Sequence, residues 1–409
     1  MPISGLVHVR TKLFAAALAV AALVAATPAG AGPPIELPAL TRIASKLSGL
    51  SSHAQIQVVT DSPAGMQRQA ERLLDRDYPA DEQTYDETLY RALGLLRNDE
   101  SLRPLLAAEA TRGVAGLYDP VNRTLYIRSG WARKAAVLQG LVHALQDQTF
   151  DLRRLTWLRR DDRDAAFAAA AAVEGDATFA VSILGGRVLA LARRTPPRTT
   201  GAYYADPIRP FLTLEHEFPY TTGASFVTTL HNLGGNPAVF SALRRFPTTT
   251  AQIFHIDTFL AREPSAAVSL PAGAAGFTLA RSDTFGELDV RALLAVFDVP
   301  RLDEVGEGWA GGRSALYRDG SGRSASAVAF TWETDLDAAQ WQEAAVTFVN
   351  EAYDADVPGF PATTPCAADT CWLVGGRAVA SIRRGERTAF VVGASVAAAA
   401  SLATAIVSS

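Results

Sequence analysis

Two short stretches concentrate the residues that could do chemistry. LQGLVHALQDQTFDL, Leu138 to Leu152, carries His143 in a helical pattern, and VEGDA, Val173 to Ala177, carries Glu174 thirty-one residues after it. Side chains four residues apart on an α-helix lie only about 40° apart around the axis. Two histidines at that spacing can grip one metal ion, and a glutamate directly after the first can take a proton from the bound water. A third ligand comes from a later helix, and the fourth position stays open. Here position 139 is Gln and position 140 is Gly. An amide oxygen is a poor zinc ligand beside imidazole, and Gly140 has no group that moves a proton. Loss of a positioned base alone costs about 10²–10⁴-fold in rate. Losing a ligand as well leaves two donors, His143 and Glu174. Ordinary zinc-dependent hydrolysis is therefore not expected, and no catalytic residue is assigned: Gly140 stands at the general-base position.

Glycine inside a helix is about 1 kcal/mol worse than alanine, so Gly140 does not strengthen this one. It opens space for a ligand or a neighbouring backbone, or it records relaxed selection. Two arrangements stay open for His143. In one it sits in a polar pocket hydrogen-bonded to Glu174; in the other it holds a metal with Glu174 and an accessory carboxylate, Asp176 or Asp147, the latter one helical turn further along the same face. Asp147 is otherwise expected to cap or brace nearby backbone.

Elsewhere the signals are weaker. Glu215, His216 and Glu217 are adjacent and point in different directions, while His231 and His255 stand alone and read as structural. Gly306 to Gly311, GEGWAG, fits GxGxxG in letters but leads into a strand-like run, so a dinucleotide site fails on context. GASVA at Gly393 lacks the last glycine of a nucleophile elbow.

Several elements must position these residues. Apolar spacing predicts helices between Met66 and Val114, broken near Pro79 and at RNDES. VAGLYDPVNRTLYIRSG alternates around Asp119-Pro120-Val121-Asn122, a hairpin or two short strands. Helices follow from about Ala132 to Asp151 and through AAFAAAAAVEGDATFAVSILGG, with a solvated charge run between them. Residues 193–207 read as a linker or long loop, and a mainly helical stretch runs on to Leu260. Beyond Leu270 the pattern is mixed. Strands flank Asp319-Gly320-Ser321-Gly322, Asp335 to Tyr353 is an amphipathic helix with Trp341, Ala345, Phe348 and Val349 on one side, and a hairpin turns at Gly385-Glu386. The uncharged tail from Ala389 suits a buried strand followed by a packed helix better than a membrane anchor.

Residues 1–31 have a leader's form: Arg10 and Lys12, an apolar run from Leu13 to Ala26 shorter than a spanning helix needs, then Ala29-Gly30-Ala31. Export, to the extracellular space or cell envelope, is the expectation, with no stable membrane span after cleavage. Removing 31 of 409 residues leaves 378, and losing Arg10 and Lys12 takes the formal charge from −4 to −6. Mild acidity argues against nucleic acid or an anionic membrane as the main partner. In an exported chain the two cysteines, Cys366 and Cys371, read as a local disulfide that contributes about 2 kcal/mol.

Taken together, HALQDQ (His143 to Gln148), FDL (Phe150 to Leu152), RALGLL (Arg91 to Leu96), VAGLYDP (Val114 to Pro120), VEGDA, FPYTTGASFV (Phe218 to Val227), FGEL (Phe285 to Leu288) and EGWAGGR around Trp309 resemble a family of exported bacterial and archaeal predicted zinc metallopeptidases of gluzincin type, with an HELxHALQDQ helix. The resemblance covers roughly residues 60–409 and implies metal ligands at positions 139, 143 and 174 and a base at 140. Gln139, His143 and Glu174 then form a vestigial metal site. The implied fold is helix-rich α+β: a zincin-like helical core with a short hairpin, plus a C-terminal α+β region. The implied domains are a signal peptide (1–31), a metallopeptidase-like domain (32–195), a helical region closing the cleft (196–270) and the C-terminal region (271–409). The expected function is a pseudoenzyme that binds or regulates a peptide or protein, with no cofactor. The alternatives are an active zinc peptidase with unusual ligands and a structural envelope protein.

Overall fold

The computed structural model describes residues 20–23, 36–111, 114–130, 134–155, 158, 162–182, 206–353 and 364–409. Most of the leader, most of the linker at 193–207 and part of the charged run lie outside the described residues. Of residues 1–31, Val20–Leu23 are described, as strand β1.

Helix α1 (Leu37–Ser48) stops at Gly49, whose φ of 71° is the left-handed conformation glycine adopts at helix ends. Strand β2 (Gln57–Asp61) leads to α2 (Pro63–Asp77), which begins where the Ser62 hydroxyl accepts from Gly65 N at 3.0 Å. Helices α3 (Ala80–Ala92) and α4 (Leu102–Thr111) follow. Next, β3 (Val114–Asp119) and β4 (Thr124–Arg128) pair as the expected hairpin. Its turn is held by the Asp119 carboxylate, which accepts from Val121 N at 3.0 Å and Asn122 Nδ2 at 2.6 Å. β2 joins β4 in parallel and β1 joins β3 antiparallel, giving a four-stranded sheet of order β1-β3-β4-β2.

Three long helices follow: α5 (Lys134–Phe150) covers this sheet, α6 (Arg163–Ser182) packs on α5, and α7 (Ile208–Arg244) packs on α6. Leu125 and Ile127 of β4 share a core with Leu138, Leu141 and Val142 of α5 and the alanines of α6. α6 and α7 approach backbone to backbone. A Cβ on Gly175 would stand 2.3 Å from Gly223 O, and one on Gly223 2.4 Å from Ala171 O, so the glycines of VEGDA and TTGAS are packing requirements.

The second half begins with α8 (Ala251–Phe254), α9 (Ile256–Ala261), β5 (Gly273–Ala274), β6 (Phe277–Thr284), α10 (Glu287–Val296) and α11 (Leu302–Glu307). It continues through β7 (Trp309–Asp319), β8 (Ser324–Trp332), α12 (Asp335–Tyr353), β9 (Thr370–Val374), β10 (Arg377–Arg384), β11 (Arg387–Gly393) and α13 (Val396–Ser408). Its strands form an antiparallel sheet of order β5-β6-β7-β8-β11-β10-β9. Alternation along the strands gives it two apolar faces. Val328, Phe330 and Phe390 face Trp341, Phe348 and Val349 of α12, and Ala327, Ala329, Ala389 and Val391 face Ala399, Leu402 and Ile406 of α13. The uncharged tail is thus a strand and a packed helix, and among the described residues no helix is long and apolar enough to cross a membrane. Cys366 and Cys371 form a disulfide just before and within β9. GEGWAG enters β7: a Cβ on Gly311 would stand 2.2 Å from Ala266 O and one on Gly312 2.3 Å from Phe285 O. Ser395 of GASVA is a helix cap, its hydroxyl accepting from Ala398 N at 3.3 Å.

The class is therefore mixed α+β with helix predominant. The first core of the C-terminal sheet also takes in Leu74, Tyr78, Tyr85, Leu89 and Leu102 from α2, α3 and α4. A buried arginine links the parts. Arg163, at the start of α6, donates from Nη2 to Tyr90 Oη of α3 at 2.7 Å, pairs with Glu215 of α7, and donates from Nε to Asp289 Oδ1 of α10 at 3.4 Å. Burial pushes the neighbouring Asp164 carboxyl well above the usual range, and its oxygens accept from Thr250 N at 3.1 and 3.2 Å.

Candidate functional site: a closed polar core between two helices

The α5 helix presents Gln139, His143 and Gln146 to α6, which answers with Glu174 and Asp176. All five are buried, His143 and Gln146 completely. His143 Nε2 lies 3.2 Å from Glu174 Oε2, without the alignment of a good hydrogen bond. Gln139 turns its amide nitrogen to the same carboxylate oxygen at 3.5 Å. His143 and Glu174 are thus side by side in a buried polar pocket, in contact but without a well-aligned hydrogen bond between them.

Gln146, which no motif chemistry singles out, organises the rest. Its Nε2 donates to Asp176 Oδ2 at 2.7 Å and to Val173 O at 3.1 Å. With the amide nitrogen so engaged, its oxygen is left to accept from His143 Nδ1 at 2.8 Å. In that tautomer the ring N–H is on Nδ1, and Nε2 faces Glu174. The signal for Gln146 was its place three residues after His143, on the same helical face.

Zinc does not fit this donor set. Two donors converge, Gln139 offers nitrogen, and Asp176 is engaged by Gln146. Among the described residues no group of three or more His, Cys, Asp or Glu side chains could hold a metal ion. Asp147 braces the end of α5: its Oδ2 accepts from Tyr118 Oη at 2.9 Å and its Oδ1 from Leu152 N at 2.9 Å.

The expectation of open space over Gly140 is corrected. A Cβ at that position would stand 2.4 Å from Leu125 Cδ1. The fully buried Leu125 side chain of β4 fills the volume that a base would occupy. Sequence could not reveal this, because Leu125 lies fifteen residues away and on another element.

Of the other candidates, Glu215 is consumed by Arg163. His216 and Tyr220 pack ring to ring on α7, with centroids 5.7 Å apart, and His231 packs on Phe179 at 4.7 Å. His255 is not solitary. Its Nε2 lies 3.0 Å from Oε2 of Glu287, a fully buried carboxylate that also accepts from Arg291 Nε at 2.6 Å. The hydrogen bond to Glu287 raises the His255 pKa.

Burial pushes the Asp176 carboxyl up from the ordinary 3.8 to about 6, against the lowering effects of Gln146 and His143. The folded state therefore favours the proton. The penalty for ionising this group is absent below pH 3.8, grows between there and pH 6, and is constant above. Asp176→Asn keeps an acceptor for Gln146 and removes that penalty. It is expected to raise stability by roughly 1–3 kcal/mol at about pH 8 and by nothing near pH 4. Urea unfolding at the two pH values measures this, and an equal effect at both would refute the assignment.

These features define an α+β protein with a buried histidine–glutamine–carboxylate core between α5 and α6. Residues 277–403 match a family described as a domain of unknown function (DUF8575). That stretch runs from β6 into α13 and lies wholly after α5 and α6, so it bears on the C-terminal sheet and not on His143. No curated protein and no solved structure matches the chain.

Proposed function

We propose that this chain is an exported, metallopeptidase-like pseudoenzyme that holds a peptide without cutting it. The carrying observation is the sealed site: Leu125 fills the base position over Gly140, and His143 and Glu174 contact each other directly. A peptide carbonyl has no route to a polarising group there, and nothing at position 140 can activate water.

The strand pairing supports the peptide-holding part. β3 accepts Val20–Leu23 along its outer edge, antiparallel, with Val20 opposite Tyr118 and Leu23 opposite Val114. That edge takes an extended apolar segment through backbone hydrogen bonds, the usual mode of strand addition. In this reading export removes residues 1–31 and frees the edge for a partner peptide. Zinc plays no part in the holding.

The test is a fluorescent peptide of residues 17–26 titrated against the chain beginning at Gly32. Saturable binding that a chelator does not alter is expected, and the peptide should remain intact in mass spectra after long incubation. Cleavage would overturn the pseudoenzyme reading, and absence of binding would overturn strand addition at β3.

A further inference from the structure

Four arginines gather where the C-terminal ends of α5, α7 and α9 meet. Arg154, just past α5, donates to Phe150 O and Leu243 O, each at 3.4 Å, and its guanidinium lies 4.3 Å from the centre of the Phe246 ring. Arg244 lies 5.7 Å from the Phe150 ring, which packs on Phe240. Arg262 donates to Arg245 O at 3.3 Å and lies 4.4 Å over Phe259. Their contacts are therefore carbonyl oxygens and aromatic faces. Among the described residues none of the four has a carboxylate partner, whereas the adjacent Arg153 is taken by Asp151 at 2.6 Å.

Helix ends explain part of this gathering. A helix C-terminus carries roughly half a negative charge, and Arg154 and Arg262 donate to carbonyls at such ends. Arg244 and Arg245 are exposed and exceed that need. The cations crowd one another: the Arg262 pKa is lowered, first by burial and then by the charge of Arg245. In a chain with formal net charge −4, composition does not account for four guanidinium groups at one corner with no carboxylate partner among the described residues. α9 adds a second feature. Leu260, two residues before Arg262, is 53% exposed.

We propose that this corner docks the protein onto an anionic phospholipid surface, with the arginines on headgroup phosphates and Leu260 among the uppermost acyl carbons. Arginine is suited to the task because its planar fork matches phosphate oxygens and is weakly hydrated. Leu260 favours lipid over a soluble phosphate polymer, because a polymer in water offers an exposed leucine no apolar surface. The binding is peripheral, reversible and sensitive to salt. It is separate from the β3 edge, so peptide holding and surface docking can fail independently.

The experiment is co-sedimentation of the purified protein with vesicles of phosphatidylcholine alone and with phosphatidylglycerol added. Binding to the anionic vesicles only, released at about 0.5 M salt, is expected. Arg244→Gln and Arg245→Gln together should weaken it by about fivefold for each charge removed, with thermal unfolding unchanged because both side chains are exposed. Leu260→Ser should weaken vesicle binding and leave any affinity for soluble polyphosphate untouched. Equal sedimentation with both vesicle types, or undiminished binding by the double arginine variant, would overturn the proposal. So would calorimetric binding of polyphosphate with no vesicle association, which would reveal a soluble anion as the ligand.

Discussion

Arg163→Met is expected to cost about 3–5 kcal/mol of folding stability, the range for removing one partner of a buried ion pair. The side chain is 8% exposed as a whole residue and serves Tyr90, Glu215 and Asp289 at once. Methionine fills much of the volume, so the loss is electrostatic. Glu215 and Asp289 would remain buried with the guanidinium that both face removed. Asp289 retains the Gly286 N–H at 2.8 Å. Arg163→Met with Glu215→Gln should therefore recover part of the loss. Denaturant midpoints for the wild type and both variants give the comparison. A midpoint unmoved by Arg163→Met would mean that the network contributes nothing to holding α3, α6, α7 and α10 together.

Introducing the two residues that an HExxH pattern would have at positions 139 and 140 is expected to destabilise the protein. In the Gln139→His/Gly140→Glu variant, the new Cβ at 140 starts 2.4 Å from Leu125 Cδ1. Overpacking of this kind costs about 1–3 kcal/mol, and the new carboxylate adds the penalty of burial without a partner. A lower melting temperature of the metal-free protein is the expected result. Adding Leu125→Ala opens the volume, and the triple variant, in which the introduced imidazole converges with His143 and Glu174, should take up one zinc. If the double variant already binds one zinc per chain at an unchanged melting temperature, Leu125 is not the lock.

The contrast between these variants separates what is legible in the residues from what is not. Position 139 reads as a poor ligand and position 140 as no base because those are properties of side chains, independent of fold. That Gly140 is sealed rather than open depends on a leucine from another element. Arg163 shows the same limit. Its partners at positions 90, 215 and 289 come from three different helices, and in sequence Arg163 looks like the end of a solvated charge run. His255 reads as solitary because Glu287 lies thirty-two residues further on.

Local elements are more transparent. The stripe of Trp341, Ala345, Phe348 and Val349 on α12, the turn at Asp119 to Asn122, the β10–β11 hairpin at Gly385-Glu386 and the strand-then-helix tail all follow from periodicity and turn chemistry, which act over a few residues. Strands β2 and β6 and helices α1 and α10 carry no comparable signal. Residue type and near spacing were enough for the mixed α+β class, the local disulfide, and the absence of a base and a second histidine. Long-range packing alone settled that α2, α3 and α4 share the core of the C-terminal sheet, that Gln146 sets the His143 tautomer, and that Leu125 closes the site. Periodicity says which face of an element is buried, while the partner that buries it is chosen by contacts between residues far apart in the chain.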